Sequence, residues 1–447
     1  MSIDAARSTL SDWMEAHPDI KSVRAALPDL NGCLRGKRVR RDAATGLDSG
    51  LNLPLSASAQ DIWGRDVATN PGVLGGDADG RGVWTGRAPV VIDWLAAPTA
   101  LVLLEMEETG GGPSPICPRQ ILKRVLGRFR SQGLFPVVAT ELEFYLVDPE
   151  AIRPTVPPSP RTAKSLLAEG VLSIEDLDHF EGFTADLSDT ATAAGLAVEA
   201  AISEGGVGQF EVNLAHSSDV MAMADDTLLL KILVKGVARR HGLAASFMAK
   251  PYADQAGSGM HVHVSVLDEA GTNTFDDGGA EGTAALRHAA AGLLSAAAGS
   301  MLIFAPHLNS YRRIDAGGHA PKRAVWGYDH RLAAVRVPGG PPYSRRLEHR
   351  IAGADANPYL VLAAVLGALL QGLDAGELPP PPLDGPLEGG PSVTSVWELA
   401  IDAFGTSLGD IFDPRFVALF AEAKRQERAR FFARVSDYEY ATYLETV

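Results

Sequence analysis

The chain has only two cysteines, Cys33 and Cys117, among 447 residues. That scarcity excludes a disulfide-stapled framework and a cysteine-built zinc cluster, and it fits a reducing compartment. Positive charge is also short. Forty Lys and Arg stand against 55 Asp and Glu, a formal net charge of −15 at pH 7. This balance disfavours nucleic acid and anionic membranes as partners and leaves a cationic small molecule open. No apolar run is long enough to span a bilayer; the longest, Tyr359 to Leu370, reads as a buried helix. Met1-Ser2-Ile3-Asp4 carries neither a basic nor an apolar leader signal, so a cytoplasmic location is expected. Also missing are a Walker phosphate loop, a Rossmann glycine fingerprint and a Ser-His-Asp elbow. Any phosphate chemistry must therefore rest on metals and arginines.

What is present is ordinary in composition, 46% hydrophobic and 21% charged, with length for two or three domains. Runs of strands followed by runs of helices predict an α+β fold rather than a doubly wound one. The expected helices cover residues 4–16, Pro118 to a stop at Gly133, 185–196, Asp225 to His241, 282–298, and a run capped by Asn357 that ends at Gly372. The tail from Asp413 reads as a charged helix with a solvated face. Strands are expected at 90–93, 101–106 and 136–147, and a strand, turn and strand at 197–213. Asp29 to Gly32 reads as a turn between two short strands. Glu175, Asp176 and Asp178 read as the acidic start of a helix rather than as contacts for a ligand. Gly110-Gly111-Gly112-Pro113 marks the boundary between an N-terminal domain, 1–110, and a larger domain, 113–447.

Chemistry gathers in a few motifs. Gly257-Ser258-Gly259-Met260-His261-Val262-His263-Val264-Ser265 runs from a glycine-rich turn into a strand. Side chains alternate along a strand, so His261 and His263 share one face. Glu141 and Glu143 have the same spacing in an otherwise apolar segment. Two carboxylates buried on one face call for a compensating cation. Glu204 and Glu211 flank a glycine turn that would bring them together across a hairpin, and Glu348 alternates with Arg346 and Arg350. An oxygen-rich set with one or two imidazoles suits Mg²⁺ or Mn²⁺ better than Zn²⁺. Two such cations are an apparatus for handling a nucleotide's phosphates. Arg312, Arg313, Arg331, Arg336, Arg345, Arg346 and Arg350 cluster in an acidic protein, and guanidinium forks clamp phosphoryl groups. Taken singly, a Glu-x-Glu pair is most often a solvated strand edge, and an arginine cluster is often a subunit salt-bridge network. Five such sites in one chain make that bland reading unattractive.

These motifs, with Asn309-Ser310-Tyr311-Arg312-Arg313 and Arg346-Leu347-Glu348-His349-Arg350 before Ala356-Asn357-Pro358-Tyr359, resemble the type I glutamine synthetase superfamily over nearly the whole chain. The resemblance implies a β-grasp N-terminal domain and a catalytic domain with an antiparallel sheet flanked by helices. It also implies a dodecamer of two stacked rings. By the resemblance, Glu143, Glu204 and Glu211 hold a first metal, and Glu141, His261 and Glu348 a second. Glu199, His263, Ser265 and Arg346 fall at nucleotide positions, and Gly257 and Arg313 where glutamate is held. Arg331 and Arg350 fall where the γ-carboxylate and the phosphoryl in transfer are stabilised. ATP would phosphorylate the γ-carboxylate of L-glutamate, and a nitrogen nucleophile would attack the acyl phosphate.

Departures from the family pattern lie on the ammonia side. The flap glutamate is replaced in Gly317-Gly318-His319-Ala320-Pro321, the Asp-Gly-Ser-Ser segment is absent, and Ala256 stands for the Asn before the Gly-Ser-Gly turn. That pattern is similar to the γ-glutamylpolyamine synthetase branch, with putrescine or a related polyamine as the nucleophile. His319 would help deprotonate the amine or simply fill the flap. The alternatives are ammonia as nucleophile, a short monoamine or an aromatic amine, and an inactive scaffold. The last is disfavoured because all six metal-ligand positions carry suitable residues.

Overall fold

Two β-sheets organise the chain. The computed structural model describes residues 9–150, 153–166, 170–315 and 320–447. The first sheet is built from β1 (Ser22–Pro28), β2 (Leu34–Arg40), β3 (Leu51–Pro54), β4 (Asp79–Trp84), β5 (Val90–Ile92) and β6 (Thr99–Glu107). Its order is β2-β1-β6-β4-β3, with β5 also on β6; β1 and β6 run parallel and the other pairs antiparallel. β6 is apolar without a break from Ala100 to Leu104 because both of its faces are covered there. Ala100, Val102, Leu104 and Met106 pack with Leu10 and Met14 of the Leu10–Ala16 helix, while Leu101 and Leu103 enter the main core.

The second sheet carries the chemistry. Its strands are β7 (Phe135–Val147), β8 (Val198–Ser203), β9 (Gln209–Leu214), β10 (Ala244–Ser246), β11 (Met260–Leu267), β12 (Trp326–Tyr328), β13 (Val335–Val337) and β14 (Leu347–His349). The order is β12-β13-β14-β11-β7-β9-β8, with β10 also on β7. Only β12 and β13 pair in parallel. The period of two sorts the residues. Val138, Leu142, Phe144 and Leu146 of β7, Phe210, Val212 and Leu214 of β9, and Met260, Val262, Val264 and Val266 of β11 all enter the main core. Glu141, Glu143, Glu211, His261 and His263 occupy the intervening positions and so line the opposite face.

Behind the core face lie the helices Val220–Arg240, Ala284–Phe304 and Pro358–Ala375. The last two are long and apolar enough to cross a membrane by length and composition, but they pack on each other inside the protein. Glycines set their separation. A Cβ on Gly372 would lie 2.2 Å from the His288 carbonyl oxygen, and one on Gly292 2.2 Å from that of Ala368. Gly372 is thus a packing residue and not the expected helix stop; the helix ends instead at Gly376, with φ +65°. The Val220–Arg240 helix starts before the expected Asp225, because the Asp219 carboxylate caps it by accepting the Ala222 N–H at 3.0 Å.

The tail helix departs most from expectation. Pro414–Phe432 is charged, yet Phe416, Phe420, Lys424 and Glu427 are buried. Lys424 Nζ donates to Asn31 Oδ1 at 2.5 Å and to Glu427 at 3.1 Å, and Glu427 accepts the Ile62 N–H at 2.8 Å. A buried pair of this kind is tolerated because each charge is fully hydrogen-bonded. A second tie comes from Asn357. Its Oδ1 caps Pro358–Ala375, while its Nδ2 donates to the Asp29 carbonyl at 2.9 Å. The Asp29–Gly32 turn is where the sequence put it, and Ser173 caps a helix over Ile174–His179 that includes Glu175, Asp176 and Asp178.

Candidate active site

Strand register brings the polar face together. His261 stands opposite Glu141, Glu143 opposite Glu211, and Glu348 opposite His263. Glu204 follows β8 directly, and its N–H donates to the Gln209 carbonyl at 3.0 Å, closing the hairpin to Glu211. Five of the six residues assigned to metals by the resemblance therefore share one sheet face, and Glu204 stands beside them at the hairpin, close enough for Glu143 to act on its charge.

The hydrogen bonds fix their orientation. Arg346 Nε donates to His263 Nδ1 at 3.1 Å. That leaves the ring proton on Nε2, which lies 2.8 Å from Glu141 Oε1. His261 Nδ1 is 3.1 Å from Glu141 Oε2, and its Nε2 is 3.9 Å from Glu143 Oε1. Glu143 Oε2 accepts the Gly259 N–H at 2.6 Å. Glu348 accepts from Arg336 at 2.8 Å and from Arg350. Nε of Arg336 and Nε of Arg350 are buried without a hydrogen-bond partner among the described residues.

Crowding perturbs the acids. Burial, then the neighbouring Glu141, Glu143 and Glu204, pushes the Glu211 carboxyl up to about 9. Burial and Glu143 likewise raise Glu204. Burial also works against ionisation of Glu141, but hydrogen bonds from His261 and His263 outweigh it and hold that carboxyl well below the usual range. Glu348 is lowered too, burial being overcome by His261 and Arg350. An excess of carboxylates that cannot all ionise together is what a divalent cation relieves. Two sets of donor atoms lie within 4.8 Å of one another: Glu141, Glu211 and His261, and Glu141, His263 and Glu348. Glutamate oxygens with one nitrogen per set suit a hard divalent cation. These groupings differ from the two triads implied by the resemblance, since Glu141 joins both and His263 enters one.

The remaining candidates sit around this centre. Gly257 is packed so closely that a Cβ would lie 2.6 Å from Arg313 Cγ and 2.8 Å from the Ala249 carbonyl oxygen. Arg313 is buried and donates to the Ile351 carbonyl at 2.8 Å. Ser265 shares the face of His263, two residues along β11. Glu199 is exposed at a bulge in β8. Arg331 is exposed in the turn between β12 and β13 and makes no ion pair among the described residues. His319 lies outside the described residues.

Two groups escaped assignment from sequence. Arg336 was visible only as one of seven clustered arginines; its place opposite Glu348 across β13 and β14 fixes it on the site. His216, after β9, has its ring 6.0 Å from that of His263. Burial, then His263 and Arg346, lowers its pKa. A lone histidine beyond a strand end carries no pattern that would have found it.

Comparison with known proteins agrees with this geometry. Residues 115–443 match the glutamine synthetase catalytic domain. The gamma-glutamylputrescine synthetase of Escherichia coli K12 is 38% identical over 380 residues, covering 82% of this chain and 78% of its own. The glutamate–isopropylamine ligase of a Pseudomonas species is 30% identical over 462 residues, covering 98% and 97%. The gamma-glutamylethanolamide synthetase of Streptomyces coelicolor is 33% identical over 377 residues, covering 81% and 79%. Among solved structures, GmaS without ligand superimposes with a TM-score of 0.85 at 26% identity, covering 98% of this chain and all of that one. The α+β architecture, the carboxylate-lined sheet face and these matches together make the chain an enzyme of the glutamine synthetase family.

Proposed function

We propose that the protein is an ATP-dependent, ADP-forming ligase that joins the γ-carboxylate of L-glutamate to a primary amine, with putrescine or a related polyamine as the preferred nucleophile. The observation that carries this reading is the gathering of Glu141, Glu143, Glu211, His261 and Glu348 on one face with Glu204 beside them, bordered by arginines with unpaired N–H groups. The names of the similar proteins supply the amine side.

In this reading the six residues hold two or more Mg²⁺ or Mn²⁺ ions, which would neutralise the nucleotide's phosphates. His263, Ser265, Glu199 and Arg346 border the nucleotide. Arg313 and the bare backbone at Gly257 hold glutamate, since only glycine leaves room beside the Arg313 side chain. Arg350, Arg336 and the exposed Arg331 present guanidinium donors to the phosphoryl group in transfer. An oxygen of the γ-carboxylate attacks the terminal phosphorus of ATP and ADP leaves. The amine, having lost a proton, attacks the acyl carbon and phosphate leaves. A carboxylate alone is a poor acylating agent; the phosphate makes it a good one. His319 is proposed to assist the deprotonation.

We also propose that residues 1–110 form a β-grasp domain and 113–447 the catalytic domain. The chain is proposed to assemble as a homo-oligomer, a double ring of twelve. The exposed Tyr438, Tyr440, Tyr443 and Leu444 support contacts between copies. Light scattering reads the assembly directly.

An amine panel tests the substrate reading. Purified protein is given Mg²⁺, ATP and glutamate, and phosphate release is followed with ammonia, methylamine, putrescine and spermidine. The proposal expects turnover with putrescine or spermidine well above that with ammonia. Turnover with ammonia alone would defeat the substrate assignment, and silence with every amine would favour a scaffold.

A further inference from the structure

A cavity of about 780 Å³ lies between the β1–β2 hairpin and the Val220–Arg240 helix, and none of the six clustered carboxylate and imidazole residues lines it. Its wall carries Arg24, Lys37, Arg38, Lys231 and Lys235. Such a concentration stands out in a chain of net charge −15. None of the five forms an ion pair among the described residues. Lys231 Nζ donates to the Ala356 carbonyl at 2.9 Å, Arg38 to Thr99 Oγ1 at 3.1 Å and Lys37 to the Asn52 carbonyl at 2.9 Å, all neutral acceptors. The ammonium groups of Lys231 and Lys235 sit 5.8 Å and 5.5 Å from the centre of the Phe247 ring.

These cations repel one another. Burial, then Lys235, pulls the Lys231 ammonium down to about 8, and burial with Arg38 and Arg239 lowers Arg24. The one carboxylate on the wall among the described residues, Asp355, accepts from Ser310 Oγ at 2.6 Å. The rest of the lining includes Leu101, Leu228, Ile232 and Phe247. Like charges gathered over an apolar floor are unfavourable unless an anion offsets them.

We propose that this cavity binds a small organic anion, a carboxylate or phosphate group carried on a short apolar body. The cations would take the charged group and the aliphatic wall the body. This site stands apart from the ligase reading and survives or falls without it.

Cys33 lines the same cavity and is half-buried, whereas Cys117 is fully buried and reports nothing there. The test measures alkylation of Cys33 by N-ethylmaleimide, read by peptide mass, without metal or nucleotide and at constant ionic strength. Glutarate and propyl phosphate are the two probes, with chloride as the salt control. The proposal expects one probe to slow Cys33 alkylation saturably. Lys235→Gln and Lys37→Gln, both at exposed side chains, should each raise the concentration needed by about tenfold, the loss of one charge-assisted bond. A response to glutarate alone identifies a carboxylate ligand, and one to propyl phosphate alone a phosphate ligand. Rates indifferent to both probes, slowing matched by chloride, or variants protected like the parent would each overturn the proposal. So would a Cys33 that is unreactive before any anion is added, because the cavity would then be sealed by another part of the assembly.

Discussion

Binding of a divalent cation at the carboxylate cluster should expel a proton, and the amount follows from Glu211. Its carboxyl is pushed up to about 9 by burial and by Glu141, Glu143 and Glu204. At neutral pH the metal-free site therefore holds Glu211 almost wholly protonated. A cation coordinated by that carboxylate must displace the proton, so about one proton leaves per site, with Glu204, also raised, adding to it. One released proton makes the apparent affinity rise about tenfold per pH unit, ~1.4 kcal/mol each, between about pH 6 and about pH 8. The rise should flatten as pH passes the Glu211 value. Calorimetric titration of Mn²⁺ in buffers of differing ionisation enthalpy counts the protons directly. In Glu211→Gln the proton has no donor, and release should fall by about one while weaker binding remains. An affinity independent of pH over that range, with no buffer-dependent heat, would show that these carboxylates do not share a cation.

Other expectations are as definite. Burial raises the Glu427 carboxyl, but Lys424 and His307 outweigh it and hold it down to about 2. Since the folded value lies below the ordinary one, its stabilisation is complete above about pH 4.5 and is lost as pH falls toward about 2, in total ~3 kcal/mol. Urea unfolding should therefore show Glu427→Gln less stable than the parent at neutral pH, with the gap closing in acid; parallel curves would refute it. Gly257→Ala forces a Cβ against Arg313 and the Ala249 carbonyl. It should raise the KM for glutamate by about tenfold, and an unchanged KM would remove Gly257 from that site. Arg331→Ala should slow the chemical step by about 2–4 kcal/mol in barrier while leaving ATP affinity nearly intact. Equal losses in single-turnover rate and nucleotide binding would contradict its role.

Much of the site's local geometry was legible because strand alternation is rigid. Once β7 and β11 are strands, Glu141 and Glu143 share a face, as do His261 and His263. Which strand neighbours which is a long-range matter, so the pairing of Glu348 with His263 and of Arg336 with Glu348 had to be seen. In β4 glycine and aspartate mask the alternation, and β3, four residues long, is too short to show one. Gly80 and Gly82 are small for packing reasons: a Cβ at Gly80 would meet Leu55, Glu107 and Met106, and one at Gly82 would meet Leu104 and Leu53. Gly372 misled in the same way, being read as punctuation where it is a contact between helices. The tail helix was misjudged because Lys424 and Glu427 look like surface residues until their partners, far away in sequence, are known.

That last feature bears on how the protein comes into being. Asn31 and Ile62 are made early, yet the side chains that satisfy them, Lys424 and Glu427, lie 393 and 365 residues further along the chain. The first sheet must wait, with a polar seam uncovered, until the Pro414–Phe432 helix has emerged. A ribosome that stalls short of Lys424 would release a chain lacking its own clasp, a natural target for chaperones or proteases.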